Sequence, residues 1–176
     1  MIQSKNELDE FYSSSDPWSY NENKDDTNRL NILLSELPNR DFDNVLDIGC
    51  GNGFITSKLP GKNILGVDIS ENAIKFAKEK NTNQNINYIQ GSIFELNQKL
   101  NIKFDLIVIT GVLYSQYIGK ANNLIYLIID NLLSQNGVLV SVHIDEWYNS
   151  QFPYLKLKQH YYNYREFTHN LEIYIK

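Results

Sequence analysis

From residue 44 onward the chain alternates short apolar runs with segments of helical spacing. The runs are Val45-Leu46-Asp47-Ile48, Asn63 to Asp68, Ile86 to Ile89, Phe104 to Ile109 and Val138 to Ile144. They read as apolar on both faces, so the sheet they form must be covered on both sides. Five such strands, each joined to the next through a helix or crossover, imply a parallel sheet between helical layers. Ser70 is placed to cap a helix over Glu71 to Lys80, with acid at its start and Lys at its end, as the helix dipole favours. Lys120 to Leu133 has apolar residues at 124, 125, 128, 129 and 132, which is helical periodicity. Gln135-Asn136-Gly137 is expected to turn the chain into the fifth strand, and a short helix is expected just before Pro60-Gly61.

The two ends differ from this pattern. Leu155 to Tyr162 and Phe167 to Ile175 read as two strands joined by a short turn, hence antiparallel neighbours. Residues 1–43 form an extension with a helix from about Asn23 to Leu37, its Leu30, Leu33, Leu34 and Leu37 on one face and Pro38 as its stop. The fold expected is a doubly wound α/β sheet of five parallel strands plus a C-terminal antiparallel hairpin. It is expected as a single domain over residues 1–176: a helical extension to 43 covering the site, a core over 44–145 and the hairpin over 146–176.

Composition narrows the partners. The net charge is −5 and only three residues are Arg, whereas nucleic-acid binders carry a basic face. One cysteine, Cys50, supplies neither an internal disulfide nor a Cys-based zinc site, and no metal is expected. The longest apolar stretch, Leu124 to Leu133, is about half a membrane span and contains Asp130. The first ten residues lack the apolar core of a signal peptide, so a soluble cytoplasmic protein is expected, with oligomerisation left open.

The chemistry gathers around Asp47-Ile48-Gly49-Cys50-Gly51-Asn52-Gly53, where the first strand hands over to a helix. Glycines there let the backbone pass close to a ligand. Asp68 closes the second strand 15 residues after Gly53, where a carboxylate can accept both hydroxyls of a ribose. Asp47 would repel a pyrophosphate but suits a cationic amino group. The spacing also departs from the dinucleotide fingerprint, because Ile55 stands where its last Gly would be. A ligand with a ribose, an ammonium and no phosphates is favoured over a nicotinamide dinucleotide.

Val45 to Thr56, VLDIGCGNGFIT, resembles the first motif of class I S-adenosylmethionine-dependent methyltransferases, and GVDIS at 66–70 resembles their second. The resemblance covers about residues 42–145 and implies the Rossmann-like, seven-stranded methyltransferase fold. It implies S-adenosyl-L-methionine as cofactor and S-adenosyl-L-homocysteine as product. By the same resemblance, Gly49, Cys50, Gly51 and Gly53 pass the methionine part, Asp68 and Ile69 lie at the ribose, and Ser92 and Ile93 bracket the adenine. Many members of the family have Asp where this chain has Ser92. Ser15 to Tyr20, together with Phe104 to Tyr114, resembles the nodulation-factor N-methyltransferases and related small-molecule enzymes, which implies an amino sugar or glycan precursor as acceptor.

Ligands of open α/β sheets sit beyond the C-terminal strand ends, so the acceptor is expected near Thr110 to Tyr114 and His143 to Trp147. His143 is the candidate base, weighed against a satisfied core histidine, and Tyr114 is a candidate to orient the acceptor or bond the cofactor. Trp18 and Tyr20 are candidates to close over the cofactor, with Asp47 and Thr110 lining it. Cys50 fits a small buried residue of the glycine turn better than a nucleophile. Strand four ends in Thr110-Gly111-Val112-Leu113, without the Pro-Pro element of adenine-N6 methyltransferases, which again argues against nucleic acid. The expected activity moves a methyl group to an amino or hydroxyl group of a small polar, sugar-like acceptor. The alternatives are a non-catalytic cofactor-binding partner subunit and a peptide or protein methyltransferase.

Overall fold

The structure, a computed structural model, describes residues 5–17 and 24–176. Seven strands form one sheet: β1 (Asn44–Ile48), β2 (Asn63–Asp68), β3 (Ile86–Gln90), β4 (Phe104–Thr110), β5 (Leu133–Ile144), β6 (Leu155–Tyr164) and β7 (Phe167–Ile175). The order across the sheet is β3-β2-β1-β4-β5-β7-β6. β1 to β5 pair in parallel, while β7 runs antiparallel between β5 and β6. The doubly wound sheet with its reversed hairpin is the fold the apolar runs predict.

The helices are α1 (Lys5–Phe11), α2 (Lys24–Glu36), α3 (Glu71–Lys80), α4 (Leu96–Lys99), α5 (Ser115–Ile118) and α6 (Asn122–Leu132). Alternation along the strands divides the core into two layers. Val45, Leu106, Val108, Val140, Leu171 and Ile173 face Leu30 and Leu33 of α2 and Ile74 and Ala77 of α3. Leu46, Ile107, Ile109 and Leu139 face Leu96 of α4 and Ile125, Ile129 and Leu132 of α6. No helix among the described residues is long and apolar enough to cross a membrane.

Three local expectations differ from the structure. The helix expected over 120–133 closes at Leu132, and β5 already begins at Leu133, which pairs with Phe104. The Gln135-Asn136-Gly137 turn is absorbed inside β5: Asn136 takes a left-handed conformation, φ 62°, and the pairing with β4 shifts register between Phe104 and Leu106. The short helix expected before Pro60 is only a 3₁₀ turn over Thr56–Lys58. Few aligned helix amides therefore stand in front of the glycine turn.

The strand order reverses between β1 and β4. β1 continues to β2 and β3 on one side, while β4 continues to β5 on the other. That switch point opens a crevice beyond the C-terminal strand ends. Hollows lined by Asn97, Lys103 and Asn131, and by Leu37, Arg40 and Pro60, lie at the opposite end of the sheet.

Candidate active site

The turn after β1 is tied onto β2 from the start. The amides of Gly49 and Cys50 both donate to the Val67 carbonyl, at 2.8 and 3.0 Å. The Gly51 amide donates to Asp68 Oδ2 at 2.8 Å. Gly51 has φ 53°, and a Cβ there would stand 2.7 Å from the Tyr12 hydroxyl, so this position needs glycine for both conformation and space.

Asp68 is half-buried at the end of β2, and its Oδ1 accepts from the Ser70 amide at 2.9 Å. Burial raises its pKa, and the amides of Ser70 and Gly51 oppose that rise. The carboxylate is held rigidly with lone pairs to spare for further donors. Beyond it, the Gly91 amide donates to the Asp68 carbonyl at 2.9 Å, which draws the end of β3 alongside. Ser92 there caps the 3₁₀ turn Ile93–Glu95, accepting from the Phe94 amide at 3.4 Å, and Ile93 is buried. Ile69 lies partly exposed between them, its carbonyl accepting from Gln90 Nε2 at 3.1 Å.

Asp47, 1% exposed, pairs in register with Gly66 of β2 and Val108 of β4. Its Oδ2 accepts from Thr56 Oγ1 at 2.6 Å, while Oδ1 has no partner among the described residues. Burial pushes its pKa from 3.8 up to about 7; the Thr56 hydrogen bond opposes this and the Asp68 charge adds to it. A buried carboxylate with an unused oxygen is electrostatically set to receive a cation. Burial, with the charges of Asp68 and Asp47, raises the Cys50 thiol well above its ordinary range, so it stays protonated and is a poor nucleophile.

On the other side of the crevice, Thr110 ends β4 partly exposed, and the Gly111 amide donates to the Val142 carbonyl at 2.9 Å. Tyr114 is buried and its hydroxyl oxygen accepts from the Ile144 amide at 2.8 Å, pinning the β4 loop to the end of β5. Its ring meets Trp147 edge-on at 5.4 Å, and Trp147 in turn meets Phe167 at 5.2 Å. His143 is 1% exposed, inside the sheet layer, with its ring edge-on to Tyr148 at 5.0 Å and Nε2 4.0 Å from Glu172 Oε2. Burial lowers its pKa against the pull of Glu172. It is thus a histidine of the core, its ring held toward the neutral form by burial. Trp18 and Tyr20 lie outside the described residues.

Several site groups have no signal in the motifs. α1 lies over the glycine turn: Asp9 Oδ1 accepts from Ser70 Oγ at 2.7 Å and from the Glu71 amide at 2.9 Å, and Tyr12 stands over Gly51. The spacing of Leu8, Phe11 and Tyr12 is the one sequence hint of that helix. α2 is clamped to the hairpin turn through Asp26, which is fully buried; it accepts from the Tyr164 hydroxyl at 2.6 Å and pairs with Arg165 at 3.2 Å. The Arg29 guanidinium lies over the Tyr164 ring, 4.8 Å from its centre.

A family model described as a methyltransferase domain matches residues 39–172, three quarters of the chain. The chain belongs to that family. The ribosomal protein L11 methyltransferase of Lactobacillus johnsonii is 37% identical over 106 residues, which cover 57% of this chain and 31% of that protein. The malonyl-[acyl-carrier protein] O-methyltransferase of Priestia megaterium is 35% identical over 83 residues, covering 43% and 30%. The chain therefore spans about a third of the length of these curated relatives. Among solved structures, the N-methyltransferase NodS from Bradyrhizobium japonicum WM9, in complex with S-adenosyl-L-homocysteine, superposes with a TM-score of 0.81. NodS is 22% identical, and the match covers 98% of this chain and 97% of that one, so the likeness to it is one of fold.

Proposed function

We propose that this methyltransferase takes S-adenosyl-L-methionine in the crevice between β1 and β4 and methylates an amino or hydroxyl group of a small polar, sugar-like acceptor. The observation that carries the cofactor assignment is the pair of acids at the ends of adjacent strands. Asp68 is held by two backbone amides with lone pairs left for ribose hydroxyls, and Asp47 offers a buried, unused oxygen to an ammonium. Gly49, Cys50, Gly51 and Gly53 bring the backbone against the methionine portion. Ile69 lies beside Asp68 at the ribose, Ser92 and Ile93 border the adenine, and Thr110 closes the opposite wall. Trp18 and Tyr20, outside the described residues, are the sequence's candidates to close over the cofactor.

The cofactor supplies a methyl group already activated on a sulfonium, so the chain has mainly to position and to exclude water. Positioning alone can remove about 7–11 kcal/mol of a barrier. Burial raises the Tyr114 pKa, so its phenol stays protonated. With its oxygen accepting from Ile144, the phenol proton is available to orient the acceptor. A neutral amine acceptor needs no base during attack, because its surplus proton leaves once the nitrogen has become cationic. An ammonium must first lose a proton, and a hydroxyl needs a general base. His143 fits a positioning role behind the end of β5 better than direct contact, given its burial. A protein acceptor is the second reading, favoured by the 37% identity to a ribosomal protein methyltransferase.

The test is a screen of glucosamine and other amino sugars, neutral and phosphorylated sugars, ribosomal protein L11 and acyl carrier protein, read by mass spectrometry. Methyl gain on an amino sugar, with S-adenosyl-L-homocysteine released, is the expected result. Methylation confined to the proteins would reject the small-acceptor assignment, and tight cofactor binding with no turnover would favour a non-catalytic role.

A further inference from the structure

Two buried polar atoms without partners stand level with the C-terminal end of β5, the end at which the crevice opens. Tyr162 on β6 pairs with His169 on β7, and His169 pairs with Ile144, the last residue of β5. Directly paired residues share a face of the sheet, and the Tyr162 and His169 rings are 5.7 Å apart. Both residues are buried, at 9% and 6% exposure. Neither the Tyr162 hydroxyl nor His169 Nδ1 has a hydrogen-bond partner among the described residues. Buried polar atoms of this kind are rare enough to need a reason. Ile144 also donates its amide to the Tyr114 hydroxyl at 2.8 Å. One row across β5, β7 and β6 therefore runs from the Tyr114 hydroxyl to Tyr162, two strand spacings or on the order of 10 Å away.

Both groups are neutral near pH 7. Burial raises the Tyr162 pKa; the Arg29 charge opposes this, and the Tyr114 phenol adds to it, so the two phenols are close enough to act on each other. Burial first, then Arg29 and His143, press the His169 pKa down to about 4. The Arg29 guanidinium is itself engaged: it covers the Tyr164 ring at 4.8 Å, and its charge also acts on Asp47. It is assigned no contact with the acceptor. Just past the row, the Asp145 amide donates to the Thr168 carbonyl at 3.0 Å, which leads the chain on to Trp147. The Trp147 ring lies between Tyr114 and Phe167, at 5.4 and 5.2 Å. Trp147 is nevertheless 49% exposed and Phe167 37%, which leaves an aromatic face in solvent beside the polar row.

We propose that Tyr162 and His169 bind a hydroxyl of the acceptor, and that Trp147 covers the apolar face of the ring that bears it. A hydroxyl both donates and accepts, so it can take the phenol proton and meet the imidazole nitrogen in either tautomer. Two neutral groups suit a neutral ligand, whereas a carboxylate or phosphate is held by a cation directed at it. The indole offers a flat apolar surface to the C–H face of a ring, with the polar pair fixing orientation. The assignment rests on the small-acceptor proposal and narrows its class to ring molecules that carry a hydroxyl besides the methylated group.

The experiment titrates protein saturated with S-adenosyl-L-homocysteine with D-glucosamine, ethanolamine and D-glucuronate, following the histidine ring and tryptophan indole resonances by NMR. D-Glucosamine is expected to shift the His169 and Trp147 signals. It should bind more tightly than ethanolamine, which has an amine and a hydroxyl but no ring. Tyr162→Phe should weaken D-glucosamine about tenfold, roughly the worth of one hydrogen bond. Its thermal midpoint should be unchanged or higher, because the deleted hydroxyl is bonded to nothing among the described residues. Trp147→Ala should weaken D-glucosamine by about the same factor and leave ethanolamine unchanged. Both variants should hold S-adenosyl-L-homocysteine as the parent does. D-Glucosamine that moves neither signal or binds both variants like the parent, tighter binding of D-glucuronate, or a lowered midpoint in Tyr162→Phe would each overturn the proposal. So would a loss of D-glucosamine that only follows a loss of S-adenosyl-L-homocysteine, since the groups would then belong to the cofactor site. A failed amino-sugar methylation screen, with D-glucosamine binding still dependent on Tyr162 and Trp147, would reject the proposed acceptor amine and leave the subsite standing. Amino-sugar methylation at the parental KM in both variants would overturn the subsite and leave the acceptor reading standing.

Discussion

Replacing Asp47 with Asn should make the protein more stable and worse at holding its cofactor. The Asp47 carboxyl titrates near 3.8 when unperturbed and at about 7 in the folded chain, where burial disfavours its charge. The folded state therefore binds more protons than the unfolded state between those values, and stability falls as pH rises from about 4 to about 7. At about 1.36 kcal/mol per unit, the ionised carboxylate costs roughly 4 kcal/mol above pH 8. Asn keeps the shape and can still accept from Thr56 Oγ1, but its amide protons lack partners, which costs about 1–3 kcal/mol. The net gain is roughly 1–3 kcal/mol, or about 3–10 °C in melting temperature at this chain length. It should shrink at pH 5, where the folded carboxyl is already protonated. Loss of a charge-assisted contact to the ammonium should weaken S-adenosyl-L-homocysteine by about ten- to a hundredfold. Binding of 5′-methylthioadenosine, which has no amino-acid end, should not change. Thermal melts at pH 5 and 8 with calorimetric titration of both ligands measure all of this. A variant that melts lower at pH 8, or binds the homocysteine adduct as tightly as the parent, would refute the reasoning.

Three further substitutions probe the scaffold. Gly51→Ala forces a side chain into a left-handed backbone beneath Tyr12, and calorimetry should find cofactor binding lost or reduced at least tenfold, with stability lowered by about 1–3 kcal/mol. Asp26→Ala strips the Tyr164 hydroxyl and Arg165 of their shared buried acceptor; a denaturant melt should lose about 3–5 kcal/mol as α2 and the hairpin uncouple. Cys50→Ala should keep methyl transfer within a few-fold of the parent, because the buried thiol stays protonated, and a dead but folded variant would restore the nucleophile reading.

The strands were legible because the sheet is covered on both faces, so each central run is apolar throughout and bounded by turn residues. The acid–glycine–acid spacing was legible for a related reason: backbone geometry at a strand end dictates it locally. Boundaries set by pairing were not. Leu133 belongs to β5 because Phe104 stands opposite it, and Asn136 bends within that strand where an isolated Gln-Asn-Gly would end it. α1 has only seven residues and is held by Asp9 and Tyr12 against elements far along the chain, so local propensity could not announce it. Tyr162 and His169 meet only because β7 pairs with β6, and Arg29 reaches the Tyr164 ring from α2 far earlier in the chain. His143 lies two residues before Asp145 at a strand end, the place where a base would stand, yet register with Asn170 and packing on Tyr148 draw it into the core.

The most direct test of the cofactor site is calorimetric titration of the wild-type chain and Asp68→Ala with S-adenosyl-L-homocysteine and with NAD. The wild-type chain should bind one S-adenosyl-L-homocysteine and no NAD, and Asp68→Ala should bind the former at least about tenfold more weakly, since the ribose loses a charged acceptor. NAD binding by the wild-type chain, or undiminished affinity in Asp68→Ala, would contradict the account.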